Sequence, residues 1–139
     1  MERITTAPLN RSDRRAQLEL LRGDCELASS CDEAHFIRAA VSLLEGRETR
    51  LLDAMLALGA CESAVFSLVG ERTPWMLSRG DNGACLATTL GRETAEEFTS
   101  QGATPALALL AAYLKLLCGG EHSRACGGAS GFAGPVRLN

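Results

Sequence analysis

The fold turns on residues 104–117, Thr104-Pro105-Ala106-Leu107-Ala108-Leu109-Leu110-Ala111-Ala112-Tyr113-Leu114-Lys115-Leu116-Leu117. A helix start is written into this stretch. The Thr104 side chain can accept from a free N–H of the first turn, and Pro105 fits the first helical position because its missing N–H would be unpaired there. Leu107, Leu110, Ala111, Leu114 and Leu117 form one stripe at helical spacing. Leu109, Tyr113 and Leu116 form a second, and Lys115 carries the only charge. A helix this apolar on nearly all sides must be covered on more than one side. A sheet on one face and a second helix or a second subunit on the other are expected.

Working back from that helix, residues 91–102 are polar, with Phe98 able to tie them to a sheet as a short edge strand. Residues 84–90 and 74–79 alternate as strands, Pro74 standing at a first position where strands tolerate it. Asp81-Asn82-Gly83 between them is the strongest turn signal in the chain, because Asn-Gly accepts the positive φ of a hairpin turn. Residues 64–69 also read as a strand, joined to the next by the turn 70–73. Earlier residues have a helical period. One helix is expected over about 48–58, stopped by Gly59. Another runs from the Ser30–Glu33 capping-box pattern to about Glu45, with Ile37, Ala40, Val41 and Leu44 as its stripe. A short first helix spans about 12–22, and Gly23 to Ser30 reads as a break. The glycine-rich residues 119–139 read as a flexible tail, and residues 1–11 as a loosely held arm. The reading is one α+β domain over residues 1–118. N-terminal helices precede a three- or four-stranded antiparallel meander, and the closing C-terminal helix lies on the sheet.

Bulk properties narrow the function. At 139 residues the chain has room for one domain with a core. With aromatics at 4%, that core is built from Leu and Ala, and little is left for stacking bases or sugars. A net charge of -3 argues against nucleic acid as the main partner, since phosphate binding normally shows as a basic patch. Arg11, Arg14 and Arg15 sit in a surrounding that is not basic. No secretion signal is visible, and no apolar run approaches the roughly 20 residues that span a bilayer. A cytoplasmic protein is therefore expected. The six cysteines then read as reduced thiols rather than a disulfide framework.

Motifs for chemistry are sparse. Phosphate-loop, dinucleotide and nucleophile-elbow patterns are missing from the sequence. Cys118, His122 and Cys126 are spaced as soft metal ligands, and Cys31 and His35 repeat the gap, so these five are the zinc candidates. They lack the tight Cys-x-x-Cys knuckle, and ordinary small cysteines with a tail histidine are the favoured reading. Cys31, at an expected helix start four residues before His35, is the one thiol with a route to a lowered pKa. Glu96 and Glu97 are adjacent and so point apart, which suits a solvated acidic loop better than an acid/base pair. Trp75, the only tryptophan, is either core or an exposed interface anchor, where Trp is enriched. Trp75, Arg72, Arg79, Glu96 and Glu97 form the candidate partner-binding set.

Residues 51–58 (Leu-Leu-Asp-Ala-Met-Leu-Ala-Leu), the strands around Trp75 and Gly83, and residues 103–109 (Ala-Thr-Pro-Ala-Leu-Ala-Leu) carry a resemblance. Over about residues 51–117 the chain resembles small prophage-type proteins of proteobacteria, with a layout similar to phage α-β-α sandwich domains. The resemblance carries no catalytic residues across. It implies a mobile-element origin and a small protein that binds another protein, as inhibitors of bacterial defence complexes such as anti-CRISPRs do. A bacterial host cytoplasm and a protein partner are the corresponding expectations. A homodimer is expected separately, because the last helix and the helices over 37–44 and 51–58 present more apolar surface than one small sheet can cover. The alternatives are a zinc- or thiol-dependent enzyme using Cys31, His35, Cys118, His122 and Cys126, and a structural phage component.

Overall fold

The computed structural model describes residues 11–44, 49–93 and 95–126, with backbone alone for residue 11 and for 120–126. Among these, the chain is α+β. Four helices come first: α1 (Arg11–Leu27), α2 (Glu33–Leu43), α3 (Thr49–Ala57) and α4 (Cys61–Val69). Three strands follow, β1 (Trp75–Arg79), β2 (Cys85–Leu90) and β3 (Glu97–Gly102), and then α5 (Pro105–Cys126). The strands form an antiparallel meander in the order β1-β2-β3.

The start of α5 is built as its sequence indicates. The Thr104 hydroxyl oxygen accepts the Leu107 N–H at 3.1 Å. Every residue from Ala106 to Leu114 is buried, none more than 4% exposed. The sheet covers one side, with Cys85, Ala87 and Thr89 of β2 buried towards the core. Helices α1 and α4 cover the others. Polar bonds also link the layers: the buried Thr89 hydroxyl donates to the Ala112 carbonyl at 3.0 Å, and the Lys115 ammonium on α5 donates to the Thr99 carbonyl of β3 at 2.6 Å. At Gly102 the end of β3 comes so close to α5 that an added Cβ would lie 2.7 Å from the Ala108 nitrogen.

The β1–β2 turn falls on the expected residues. Gly80 N–H donates to the Ala84 carbonyl at 2.7 Å, and Gly83 adopts φ +88°. Gly83 alone takes the positive φ. The Asn82 side-chain oxygen accepts the Ala84 N–H at 3.0 Å. Phe98 does carry an edge strand, β3.

Four expectations are corrected. Residues 64–69 are helical, not a strand. In α4, Ala64, Val65, Leu68 and Val69 bury one face while Phe66 and Ser67 point outwards, and a short apolar run fits either period until packing decides. Residues 23–27 are helix rather than a break. Leu18, Leu21 and Cys25 form one buried stripe, and the extra turn that buries Cys25 offsets the roughly 1 kcal/mol that a mid-helix glycine costs. The Ser30–Glu33 capping box does not form. A 3-10 turn occupies Ser30–Asp32, and α2 starts at Glu33 with no side-chain cap bond. Finally, α5 does not stop near residue 118 but continues to Cys126. Gly119 lies inside it because the Phe98 ring fills the space a Cβ would need. Residues 127–139 and 1–10 lie outside the described residues.

Candidate functional site

The sheet has two edge strands, β1 and β3, and the β1 edge carries the exposed tryptophan. Helix α4 ends at Gly70, whose φ of +85° turns the chain back through Pro74 into β1. Among the described residues no strand pairs with the outer side of β1. The bonds from Leu90 N–H to the Pro74 carbonyl (3.1 Å) and from Gly80 N–H to the Ala84 carbonyl (2.7 Å) fix the ladder's phase. Antiparallel pairing alternates, so Met76 and Ser78 bond to β2 and the backbone groups of Trp75, Leu77 and Arg79 face outwards.

The same register sorts the side chains. Trp75, Leu77 and Arg79 share a face with Thr89, Ala87 and Cys85, the core side of the sheet. At the rim of that face α4 ends, and there Trp75 stacks on Phe66. The ring centroids are 4.9 Å apart and the planes 11° from parallel. Both rings stay open to solvent, Trp75 at 39% exposed and Phe66 at 36%. Trp75 is thus an exposed surface residue rather than core. On the opposite face Met76 is 65% exposed, and Leu86 lies diagonally across from it.

Arg72 and Arg79 are exposed near the two ends of β1. Glu97 does not join them. Glu97 pairs with Leu90 on β3, two strands and about 10 Å from the β1 edge, and it belongs to the face opposite Trp75. The Glu96 carbonyl accepts the Gly91 N–H in the β2–β3 turn. The candidate partner set therefore splits, and the site gains Phe66, Met76 and Leu86, which sequence reasoning left out. A helical reading of residues 61–69 would have found Phe66, because it falls on the face opposite Ala64, Val65 and Leu68.

The described zinc and thiol candidates lie on three elements, the 3-10 turn, α2 and α5. Cys31 is exposed on the 3-10 turn, and His35 lies on α2 with its ring edge against Phe36, centroids 5.0 Å apart. Cys118 is buried in α5, its thiol 4.0 Å from the Arg15 carbonyl. The side chains of His122 and Cys126 are outside the described residues. Among the described residues no group of three His, Cys, Asp or Glu side chains converges to hold a metal ion. Two other thiols are held protonated. Burial, reinforced by Asp24 and Glu26, pushes the Cys25 thiol up to about 12 from an ordinary 9.0. Burial and the neighbouring Glu33 carboxylate raise Cys61. Neither has the low pKa that a nucleophilic thiolate requires.

Among the described residues no helix is long and apolar enough to cross a membrane. Comparison with known proteins found no matching family model, no matching curated relative and no matching solved structure.

Proposed function

We propose that this chain works by binding another protein along the β1 edge of its sheet, with Trp75 as the anchor. The observation that carries the reading is the exposed Trp75–Phe66 stack beside a strand edge with outward backbone groups. An edge of this kind can take an added strand from a partner, main-chain bonds supplying affinity and flanking side chains specificity. Tryptophan is enriched at the energetic centres of protein interfaces, and a large ring held flat against Phe66 gives up little conformational freedom on binding. Exposed Met76 extends the apolar surface onto the other face of β1, and Arg72 and Arg79 bracket the strand.

The narrower reading makes the partner a subunit of a bacterial defence complex and the chain its inhibitor. Its support is the prophage-type resemblance over residues 51–117. Affinity capture from bacterial lysates carrying intact defence complexes, with the bound proteins identified by mass spectrometry, tests both levels. The expected result is one stoichiometric defence subunit retained by the wild type and lost with Trp75→Ala. A different stoichiometric protein that also depends on Trp75 would keep the binding reading and end the inhibitor reading. Capture unaffected by Trp75→Ala, or no stoichiometric partner, would contradict both.

A further inference from the structure

The two edges of the sheet are built differently. Alternate residues of β2 bond to β1, so Cys85, Ala87 and Thr89 bond to β3, and the backbone groups of Glu97, Thr99 and Gln101 face the outer side of β3. There the Lys115 ammonium donates to the Thr99 carbonyl at 2.6 Å, Glu97 puts a charge at the strand start, and α1 packs against the strand. Lysines, charges and a covering helix are the devices that keep an edge from pairing. Among the described residues β1 has none of them along Trp75-Met76-Leu77-Ser78. That stretch holds no charge, proline or bulge, and no described side chain bonds the outward backbone groups of Trp75, Leu77 and Arg79.

We propose that β1 pairs edge to edge with the β1 of a second copy of this chain, antiparallel, about a two-fold axis at Leu77. The inference rests on reading β1 as the binding edge, and it adds that self-pairing withholds this edge from any other strand. The register follows from the strand itself. Outward residues must meet outward residues, so the possible registers differ by two residues. With the axis at Leu77, Trp75 faces the second copy's Arg79, Met76 its Ser78 and Leu77 its Leu77, so the whole of Trp75–Arg79 is paired. Trp75, Leu77 and Arg79 then exchange backbone bonds with the residues opposite them. An axis at Met76 or Ser78 leaves one end of the strand facing residues beyond the other copy's β1. An axis at Arg79 sets arginine on arginine, and one at Trp75 pairs only that residue within the strand.

Side chains match in the same register. Residues directly opposite stand about 5 Å apart at Cβ, which brings the second copy's Arg79 guanidinium within cation–π reach of Trp75. Phe66 already holds one face of that ring, and the cation takes the other. The two-fold axis makes this contact occur twice. A five-residue edge covers less than the roughly 800 Å² per partner of a standard interface, so the association is weak and reversible.

Sedimentation velocity of the full chain from about 1 to about 300 μM tests the pairing. The weight-average mass should rise with concentration from 14.7 kDa towards twice that value. Arg79→Glu should weaken association about tenfold, and Arg79→Lys, which keeps the cation, should weaken it less. Amide exchange followed by NMR reads the register. As association rises, the Trp75, Leu77 and Arg79 amides should slow by about threefold or more, because they face solvent in the single chain. Those of Met76 and Ser78, already bonded to β2, should stay slow throughout. A constant monomer mass, or association without slowing at Leu77, would overturn the self-pairing, while Trp75-dependent capture of another protein would still stand. Association undiminished in Arg79→Glu would overturn the register. Association with slowing at Leu77 but no captured protein would support the self-pairing and end the reading in which another protein binds.

Discussion

Helices α5 and α1 are both rich in leucine and both contain a glycine, yet the residues mean different things in the two. In α5 each leucine from Leu107 to Leu114 is covered, by the sheet, α1 or α4. Gly119 is the notch into which Phe98 fits. In α1 the described residues cover only one face, and Leu20 and Leu27 on the other look out beside Gly23, over which no described residue comes within 4 Å of an added Cβ. Composition cannot separate these cases. What separates them is whether the remainder of the chain reaches the face, and where it does not, an apolar stripe is surface available to something else.

Substitutions sharpen the contrast. The largest effect is expected at Leu110, which is fully buried. Leu110→Ala should cost about 2–5 kcal/mol in urea unfolding, whereas Leu20→Ala in α1 should stay within about 0.5 kcal/mol at concentrations where the chain is monomeric. A similar cost for both would erase the distinction. Next come the two glycines, for which opposite signs are expected. Gly119→Ala forces Phe98 to move and should cost about 1–3 kcal/mol, recovered in part by Phe98→Ala. Gly23→Ala should stabilise the monomer by up to about 1 kcal/mol, because the methyl group has open space and alanine favours helix. Thermal melts of the two single variants against the wild type decide the signs. The smallest effects are polar. Thr89→Val removes the bond to the Ala112 carbonyl, and Thr104→Ala removes the α5 cap; each should lower stability by about 1 kcal/mol in the same melts.

The parts of the fold legible in the sequence are those where local chemistry and final packing agree. Thr104 and Pro105 announce α5, Gly59 stops the helix before it with φ +78°, and Gly83 turns the hairpin. The parts that were not legible depend on contacts distant in sequence. Residues 64–69 alternate well enough for a strand, and only the surfaces they meet select helix. Gly23 and Gly119 look like breaks, and both are carried through by packing on one side of the helix. The Ser30–Glu33 pattern has the right letters for a capping box, but a 3-10 turn takes its place. For the site, the sequence singles out Trp75, Arg72 and Arg79. It gives no sign that Phe66 lies under Trp75, because that stack depends on α4 being a helix and on the reversal at Gly70. It also groups Glu97 with residues from which the sheet separates it.

The binding account rests on Trp75 being open in the free chain and covered in the complex. As the only tryptophan, it reports on itself without any substitution. The most direct measurement is therefore acrylamide quenching of its fluorescence, first in the free protein and then with saturating purified partner, using a partner whose own tryptophans have been replaced. The account predicts efficient quenching in the free chain and strong protection in the complex. A tryptophan already shielded in the free chain, or one equally quenched with the partner bound, would contradict it.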